Sequence, residues 1–147
     1  MALFHILLVE DNEGDILLTR EALDSAKIKV TLSVVKDGEA AIDFLDRRGV
    51  YQDACRPDML LLDINLPRKN GQEVLQYVKE KESLRSIPVI ILTTSSSKAD
   101  VDLSYQNHAN CYIVKSDDSN IFMGVIEKME DFWFSTARLP FNVCSVL

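Results

Sequence analysis

The feature that most constrains the fold is a short run of large apolar residues, Met59 to Leu62, that ends at the carboxylate of Asp63. A run this short, preceded by Pro57 and followed by a turn rich in Pro, Asn and Gly, is typical of a strand covered on both faces. Such strands occur in open α/β sheets, where ligands bind at the carboxyl ends of the strands. The sequence therefore predicts that Asp63 projects from a buried strand into a binding site.

Three other apolar runs also end in polar side chains. They are residues 4–9 before Glu10 and Asp11, residues 89–92 before Thr93, and residues 111–114 before Lys115. A further run at 30–35, together with the amphipathic segments between the runs, completes five strand–helix units. Short connections between such units predict an α/β fold in which a parallel sheet lies between two layers of helices.

Two of the predicted helices carry specific expectations. The first can be capped by the segment from Asn12 to Asp15, and its apolar positions lie on one broad face made of Ile16, Leu17, Leu18, Ala22 and Leu23. The last helix is expected to begin near Asp118 and to run to about Thr136.

Charge and hydropathy narrow the functional classes. The chain has 147 residues, is 47% hydrophobic and carries a net charge of −7 at pH 7, which suits one domain with a substantial core. A negative surface argues against general binding of nucleic acid or anionic membranes. The sequence shows no apolar stretch long enough to span a bilayer and no secretory signal pattern. We therefore expect a cytoplasmic protein that binds neither nucleic acid nor membrane.

The carboxylates at two strand ends suggest phosphate and metal chemistry. An aspartate such as Asp63 can attack phosphorus and form an acyl phosphate, although an aspartate here could equally serve as a turn or cap residue. Glu10 and Asp11 would repel each other unless a cation lay nearby, which favours a hard divalent ion such as Mg²⁺. An acidic pair after a strand can also simply mark a helix N-terminus. The backbone carbonyl of Asn65 is a further candidate ligand.

Lys115 and Thr93 supply the groups that would bind a phosphoryl group. An ammonium can pair with a phosphoryl oxygen or with Asp63 itself, and the Thr93 hydroxyl can donate a hydrogen bond to another oxygen. Either residue alone would mean little. Their occurrence with the carboxylates, each at the end of a different predicted strand, indicates one shared site.

With these residues in place, the chain resembles the receiver domain of two-component response regulators over nearly its whole length. That family has an acidic pair after the first strand, Asp after the third, Thr or Ser after the fourth and Lys after the fifth. The resemblance implies a flavodoxin-like, doubly wound, five-stranded parallel sheet of order 2-1-3-4-5. It also implies Mg²⁺-dependent transfer of a phosphoryl group from a sensor histidine kinase to Asp63. Thr93 and Tyr112 would then act as the switch that reshapes the face formed by helix four, strand five and helix five.

One residue departs from the family pattern. The family usually has a proline after the lysine, joined by a cis bond, whereas this chain has Ser116. A cis bond before a residue other than proline costs roughly 3 kcal/mol. Either the loop carries that strain or the lysine is aimed differently.

The end of the predicted last helix carries more aromatic surface than one docking stripe requires. Because Phe132, Trp133 and Phe134 are consecutive, they spread over more than half of the helix circumference. Together with Met129, they either fold back over the chain's own domain or form a homodimer interface. The aromatic pair, Ser116 and the turn after Asp63 also resemble the single-domain regulators that partner cyanobacterial and bacterial phytochromes.

The sequence thus predicts a single receiver domain over residues 1–147, with an aromatic-rich C-terminal extension at about 136–147. We expect a stand-alone phosphoacceptor that signals by contact with a downstream phosphotransfer or target protein, with a phytochrome as the candidate kinase. An enzyme is disfavoured, because Asn65 cannot replace the second carboxylate that aspartate-nucleophile phosphatases need. The alternative is a pseudo-receiver that is never phosphorylated and acts only as a protein-binding module.

Overall fold

The computed structural model describes residues 4–26 and 28–140, and within them the five predicted strands form one parallel sheet. The strands are β1 (Phe4–Val9), β2 (Val30–Val35), β3 (Met59–Leu62), β4 (Val89–Thr93) and β5 (Cys111–Val114). Their spatial order is β2-β1-β3-β4-β5, which confirms the predicted doubly wound, flavodoxin-like topology.

Within the part of the chain that the structure describes, five α-helices cover the two faces of this sheet. They are α1 (Glu13–Asp24), α2 (Gly38–Leu45), α3 (Gly71–Glu80), α4 (Lys98–Gln106) and α5 (Ser119–Asp131), and a 3-10 turn lies at Gly49–Tyr51. Successive strand residues point to opposite faces, so β3 supplies Leu60 and Leu62 to one hydrophobic cluster and Met59 and Leu61 to the other. All four residues of β3 are fully buried, as its continuous apolar sequence predicted.

The strand register brings the predicted functional residues to one edge of the sheet. Val9 pairs with Leu62, and Thr93 pairs with Val114. The residues that follow these positions therefore leave the sheet at the same end. Because β1 and β3 are neighbours whose following helices pack on opposite faces, this edge contains the topological switch point where α/β proteins bind ligands.

Capping side chains fix where the helices begin beside this edge. Asn12 accepts a hydrogen bond from the Asp15 N–H at the start of α1, as predicted, and Asp118 caps α5 through the N–H groups of Asn120 and Ile121. Asn70 and Glu73 form a reciprocal capping box at the start of α3. Such caps satisfy N–H groups that have no partner inside the helix.

Two local predictions need correction or refinement. Leu17 was expected on the buried face of α1 but is 56% exposed, because five apolar residues in one 12-residue helix span a wider arc than the sheet can cover. The last helix reaches Thr136 as predicted, but its α-helical part ends at Asp131 and residues 132–136 form a π-helical turn. Most of the predicted C-terminal extension, from residue 141 onward, lies outside the described residues.

Candidate functional site

The side chain of Lys115 lies at the centre of the site, within reach of three carboxylates. Its ammonium nitrogen, Nζ, lies 3.0 Å from Asp63 Oδ2 and 2.9 Å from Asp15 Oδ2, and it also donates a hydrogen bond to Glu10 Oε1. The side chain is only 4% exposed. Buried charges persist when they are paired and hydrogen-bonded, and here the ends of β1 and β3 and the first turn of α1 supply the partners.

Burial and hydrogen bonding act in opposite directions on the pKa of Glu10 and on that of Lys115. Burial raises the pKa of Glu10 to about 7, although the hydrogen bond from Lys115 acts to lower it. Burial alone would lower the pKa of Lys115, but its hydrogen bonds with Glu10 and Asp15 raise that pKa above its usual value. Lys115 is therefore a fixed positive charge, and it helps Glu10 to ionise.

Backbone groups hold two of the carboxylates in place. Glu10 Oε2 accepts hydrogen bonds from the N–H groups of Asp11 at 3.1 Å and Asn12 at 3.2 Å. Asp63 Oδ1 accepts one from the Asn65 N–H at 3.1 Å. Each carboxylate thus uses one oxygen on the backbone and one on Lys115, which fixes its orientation.

The acidic cluster fits the ligand chemistry of a divalent metal ion. Each of Glu10, Asp11 and Asp63 offers an oxygen, and these oxygens lie within 4.8 Å of one another. Hard cations such as Mg²⁺ prefer oxygen ligands of this kind and commonly use one or two carboxylates. Asp11 is exposed and can exchange solvent for a cation, whereas the other two are buried. The carbonyl of Asn65 as a further ligand stays a prediction.

The predicted switch residues Thr93 and Tyr112 meet at Ser95. Thr93 is fully buried at the end of β4, and its hydroxyl oxygen accepts a hydrogen bond from the Ser95 N–H at 3.4 Å. The Tyr112 hydroxyl donates to the Ser95 carbonyl at 2.8 Å, and burial raises the pKa of that phenol. Ser95 therefore contacts both residues, and the switch roles of Thr93 and Tyr112 stay predictions.

The bond between Lys115 and Ser116 needs no cis geometry to bring the lysine into the site. The described residues contain no cis peptide bond, and the ammonium still contacts Asp63. The sequence left open either a strained cis bond in this loop or a lysine that is aimed differently, and the cis bond is not observed.

Gly71 and Asp15 are parts of the site that the sequence analysis did not identify. A Cβ atom on Gly71 would lie 2.2 Å from the carbonyl oxygen of Asp63, so the absence of a side chain lets α3 begin directly against the strand end. Asp15 was assigned only to the helix start, yet it contacts Lys115. The sequence signal that could have identified Gly71 is the Asn70–Gly71 pair directly before a predicted helix. No local sequence pattern distinguishes Asp15 from an acidic residue that merely caps a helix.

The four aromatic-tail residues proposed for a dimer interface do not share one environment. Met129 and Phe134 are 5% and 7% exposed, and the Phe134 ring packs 4.4 Å from that of Phe4. Both belong to the chain's own hydrophobic core, which leaves them little exposed surface for an interface, and their assignment to one stays a prediction. Phe132 is exposed, and Trp133 is half-buried against it in an edge-to-face contact, so these two remain available.

Known proteins are similar to this chain in sequence and in fold. The model of the response regulator receiver domain matches residues 6–127. The response regulator Rcp1 of Synechocystis sp. PCC 6803 is 43% identical over 135 residues, which is 92% of each chain. The probable methanogenesis regulatory protein FilR2 of Methanothrix harundinacea is 37% identical over 139 residues, which are 93% of this chain and 88% of that protein.

Solved structures agree with this similarity. The phosphorylated cyanobacterial phytochrome response regulator RcpA is 44% identical, with a TM-score of 0.93, over 95% of this chain and 100% of that one. The Mn²⁺-bound form of Rcp1 is 42% identical, with a TM-score of 0.91, over 94% and 99%. Among residues 4–26 and 28–140, no helix has both the length and the apolar character needed to traverse a bilayer. The sequence, the fold and the arrangement of residues at the sheet edge together show that this chain belongs to the response regulator receiver domain family.

Proposed function

We propose that the chain accepts a phosphoryl group on Asp63 from a sensor histidine kinase and signals through the phosphorylated state. The observation that carries this proposal is the contact between Asp63 and the Lys115 ammonium, 3.0 Å apart, beside the carboxylates of Glu10 and Asp11. An aspartate held this way at a strand end has a nucleophilic oxygen and a neighbouring cation for the incoming charge.

In the transfer step, a carboxylate oxygen of Asp63 attacks the phosphorus of a phosphohistidine. The new O–P bond forms as the P–N bond breaks, and the electron pair of that bond returns to the imidazole nitrogen. A Mg²⁺ ion held by Glu10, Asp11 and Asp63 would supply charge neutralisation for the phosphoryl oxygens. Lys115 pairs with one of these oxygens, and the Thr93 hydroxyl donates to another, which draws Thr93 toward the acyl phosphate. The chain takes up one phosphoryl group and releases it by hydrolysis, so it acts as a signalling protein.

The similarity to RcpA, a phytochrome response regulator, supports a phytochrome as the kinase. Output would pass from Thr93 through Ser95 and Tyr112 to the face formed by α4, β5 and α5. Each of these elements presents an exposed apolar side chain, and these are Leu103, Val114 and Ile121. We propose that this face and the adjacent Phe132 and Trp133 form a homodimer or bind a downstream phosphotransfer or target protein in the cytoplasm.

The first experiment measures intact mass after incubation with acetyl phosphate and Mg²⁺, for the wild type and Asp63→Asn. We expect a gain of one phosphoryl group in the wild type only, and no gain when Mg²⁺ is chelated. Asp63→Asn keeps the shape of the side chain and removes the nucleophile, so its folding should be retained. If the folded wild type gained no phosphoryl group from acetyl phosphate or from a phosphorylated kinase, the protein would be a binding module and our proposal would be wrong.

Dimerisation is tested separately by light scattering coupled to size-exclusion chromatography. Phe132→Ala removes exposed aromatic surface from the proposed interface, and Val50→Ala removes an exposed apolar side chain far from it in sequence, on the 3-10 turn between α2 and β3. We expect the first variant to weaken the dimer and the second to leave it unchanged. A monomeric wild type, with and without beryllofluoride, would overturn the dimer proposal without affecting the phosphoacceptor proposal.

A further inference from the structure

The three carboxylates that contact Lys115 differ in one respect. Glu10 and Asp63 also belong to the cluster that can hold a metal ion, together with Asp11, whereas Asp15 does not. Asp15 is thus the one carboxylate contacting Lys115, among the residues that the structure describes, whose charge is not also directed at the candidate metal position.

The position of Asp15 is fixed by its own backbone. Its N–H donates to Asn12 Oδ1 at 2.9 Å, and its carbonyl accepts a hydrogen bond from the Thr19 hydroxyl at 2.7 Å. The residue lies in the first turn of α1, and its side chain is 25% exposed. The helix therefore fixes the backbone of Asp15 without relying on the metal cluster, and from there its carboxylate reaches to 2.9 Å from Lys115 Nζ.

A divalent cation in the cluster would change the balance of forces on Lys115. The cation would attract the carboxylates of Glu10 and Asp63 and would repel the Lys115 ammonium, because charges only a few ångströms apart in a partly buried site interact strongly. Lysine is a point charge on a flexible stem, so weaker attraction from two of its partners would let it leave. Asp15 would still attract it.

We propose that Asp15 is a positioning residue for phosphoryl transfer, holding the Lys115 ammonium beside Asp63 when the Glu10–Asp11–Asp63 cluster is occupied by Mg²⁺. The inference rests on the proposed phosphoacceptor function and adds a residue to it. It gives α1 a second task besides packing on the sheet: its first turn anchors the lysine delivered by β5. Asp15 touches neither the phosphorus nor the metal position, and it acts only through Lys115.

The test separates the maximal rate of labelling from the affinity for Mg²⁺. Asp15→Asn is isosteric and removes the charge at a partly exposed position, so it should fold, which circular dichroism checks; Asp15→Ser is a second variant. With acetyl phosphate as donor, we expect Asp15→Asn to lower the labelling rate at saturating Mg²⁺ by about tenfold, since small misplacements of a catalytic group can cost up to about 100-fold. Excess Mg²⁺ should not restore the rate, because Asp15 offers no oxygen to the metal cluster, although loss of its nearby negative charge also weakens Mg²⁺ binding.

Two control variants distinguish an anchor from a general charge effect. Glu13→Gln removes the same charge from the same helical turn, but Glu13 pairs with Lys36 and not with Lys115, so wild-type rates are expected. Asp15→Glu keeps a carboxylate at the position and should recover part of the lost rate. A purely structural role for Asp15 would give no such recovery by a longer side chain.

A second readout does not depend on turnover. Nitrogen-15 NMR of the lysine ammonium groups, with Mg²⁺ and beryllofluoride bound in place of a phosphoryl group, reports whether Lys115 is held. We expect a protected ammonium signal in the wild type and in Glu13→Gln, and its loss through solvent exchange in Asp15→Asn.

The outcomes separate this inference from the proposed function. A wild type that is never labelled contradicts the phosphoacceptor proposal, and Asp15 then has no transfer to assist. A labelled wild type with an Asp15→Asn rate within twofold of it, and with the ammonium signal retained, overturns the inference alone. An Asp15→Asn rate that excess Mg²⁺ restores would also overturn it, because Asp15 would then act on the metal.

Discussion

Replacing Gly71 with alanine should destabilise the protein by disturbing the backbone of Asp63, the proposed phosphoacceptor. The new Cβ would lie 2.2 Å from the Asp63 carbonyl oxygen and 2.6 Å from the Ile64 Cα, and both of these atoms belong to the backbone. Distances below 3.0 Å essentially never occur for Cβ atoms, so α3 and the end of β3 must separate by about 0.8 Å. Overpacking of a rigid contact typically costs about 1–3 kcal/mol, and we expect a loss of about 2 kcal/mol.

The chain offers a matched control for this substitution. Gly124 lies inside α5, and a Cβ atom there would meet nothing within 4 Å. Alanine at an unhindered position in a helix interior stabilises by roughly 0.5–1 kcal/mol relative to glycine. The same chemical change should therefore have opposite signs at Gly71 and Gly124.

Urea unfolding followed by circular dichroism measures both variants. With a slope of about 2 kcal/mol per M for a chain of this size, we expect the midpoint to fall by about 1 M for Gly71→Ala and to rise slightly for Gly124→Ala. Labelling of Asp63 by acetyl phosphate should also slow in Gly71→Ala under conditions where that variant is folded. A Gly71→Ala midpoint equal to that of the wild type would refute the argument that this contact is tight and fixes Asp63.

Three further predictions use the same unfolding assay. Lys79→Met should cost about 1–3 kcal/mol, because the Lys79 ammonium donates three hydrogen bonds to oxygens beside β4 and β5. Lys98→Met, at an 87% exposed side chain, should leave the unfolding midpoint unchanged, and equal losses in the two variants would contradict this. Phe134→Ala should cost about 3–5 kcal/mol and Phe132→Ala less than about 1 kcal/mol, since only the first ring is buried. Burial lowers the pKa of His5 in the folded protein, so as the pH falls the unfolded chain binds a proton on this ring before the folded chain does. The stability that the neutral ring contributes is therefore present above about pH 6.5 and is lost as the pH falls below that value. The wild type should therefore lose more stability than His5→Gln between pH 7 and pH 5, and parallel curves would exclude this linkage.

The strands and the main site residues could be predicted from sequence because two strong local signals coincide at each of them. An uninterrupted apolar run such as residues 59–62 has few alternatives to a buried strand, and the polar residue that ends it must leave the sheet at its carboxyl edge. Asp63, Thr93 and Lys115 were located this way. The topology then brought them together, as the parallel register requires.

The remaining features depend on distances between segments, which no local pattern encodes. Asp15 reads as an ordinary acid in the first turn of a helix, and its contact with Lys115 joins residues 100 positions apart in the chain. Phe132 and Phe134 are both aromatic and two residues apart, yet the π-helical turn buries one and exposes the other. Leu17 is exposed because the width of the sheet, and not the apolar character of the helix, decides how much of α1 is covered.

The charges at the sheet edge link the candidate metal site to the proposed phosphoacceptor role of Asp63. Four carboxylates, those of Glu10, Asp11, Asp15 and Asp63, lie near the single ammonium of Lys115 among the described residues that form this edge. With all four ionised, the group carries three excess negative charges, which attract a divalent cation but would repel a phosphoryl group. The proposed phosphoryl transfer is therefore favoured when a cation occupies the cluster first and Lys115 stays beside Asp63 after it binds. Asp15 contacts Lys115 and lies outside the metal cluster, so its charge attracts the ammonium in both states.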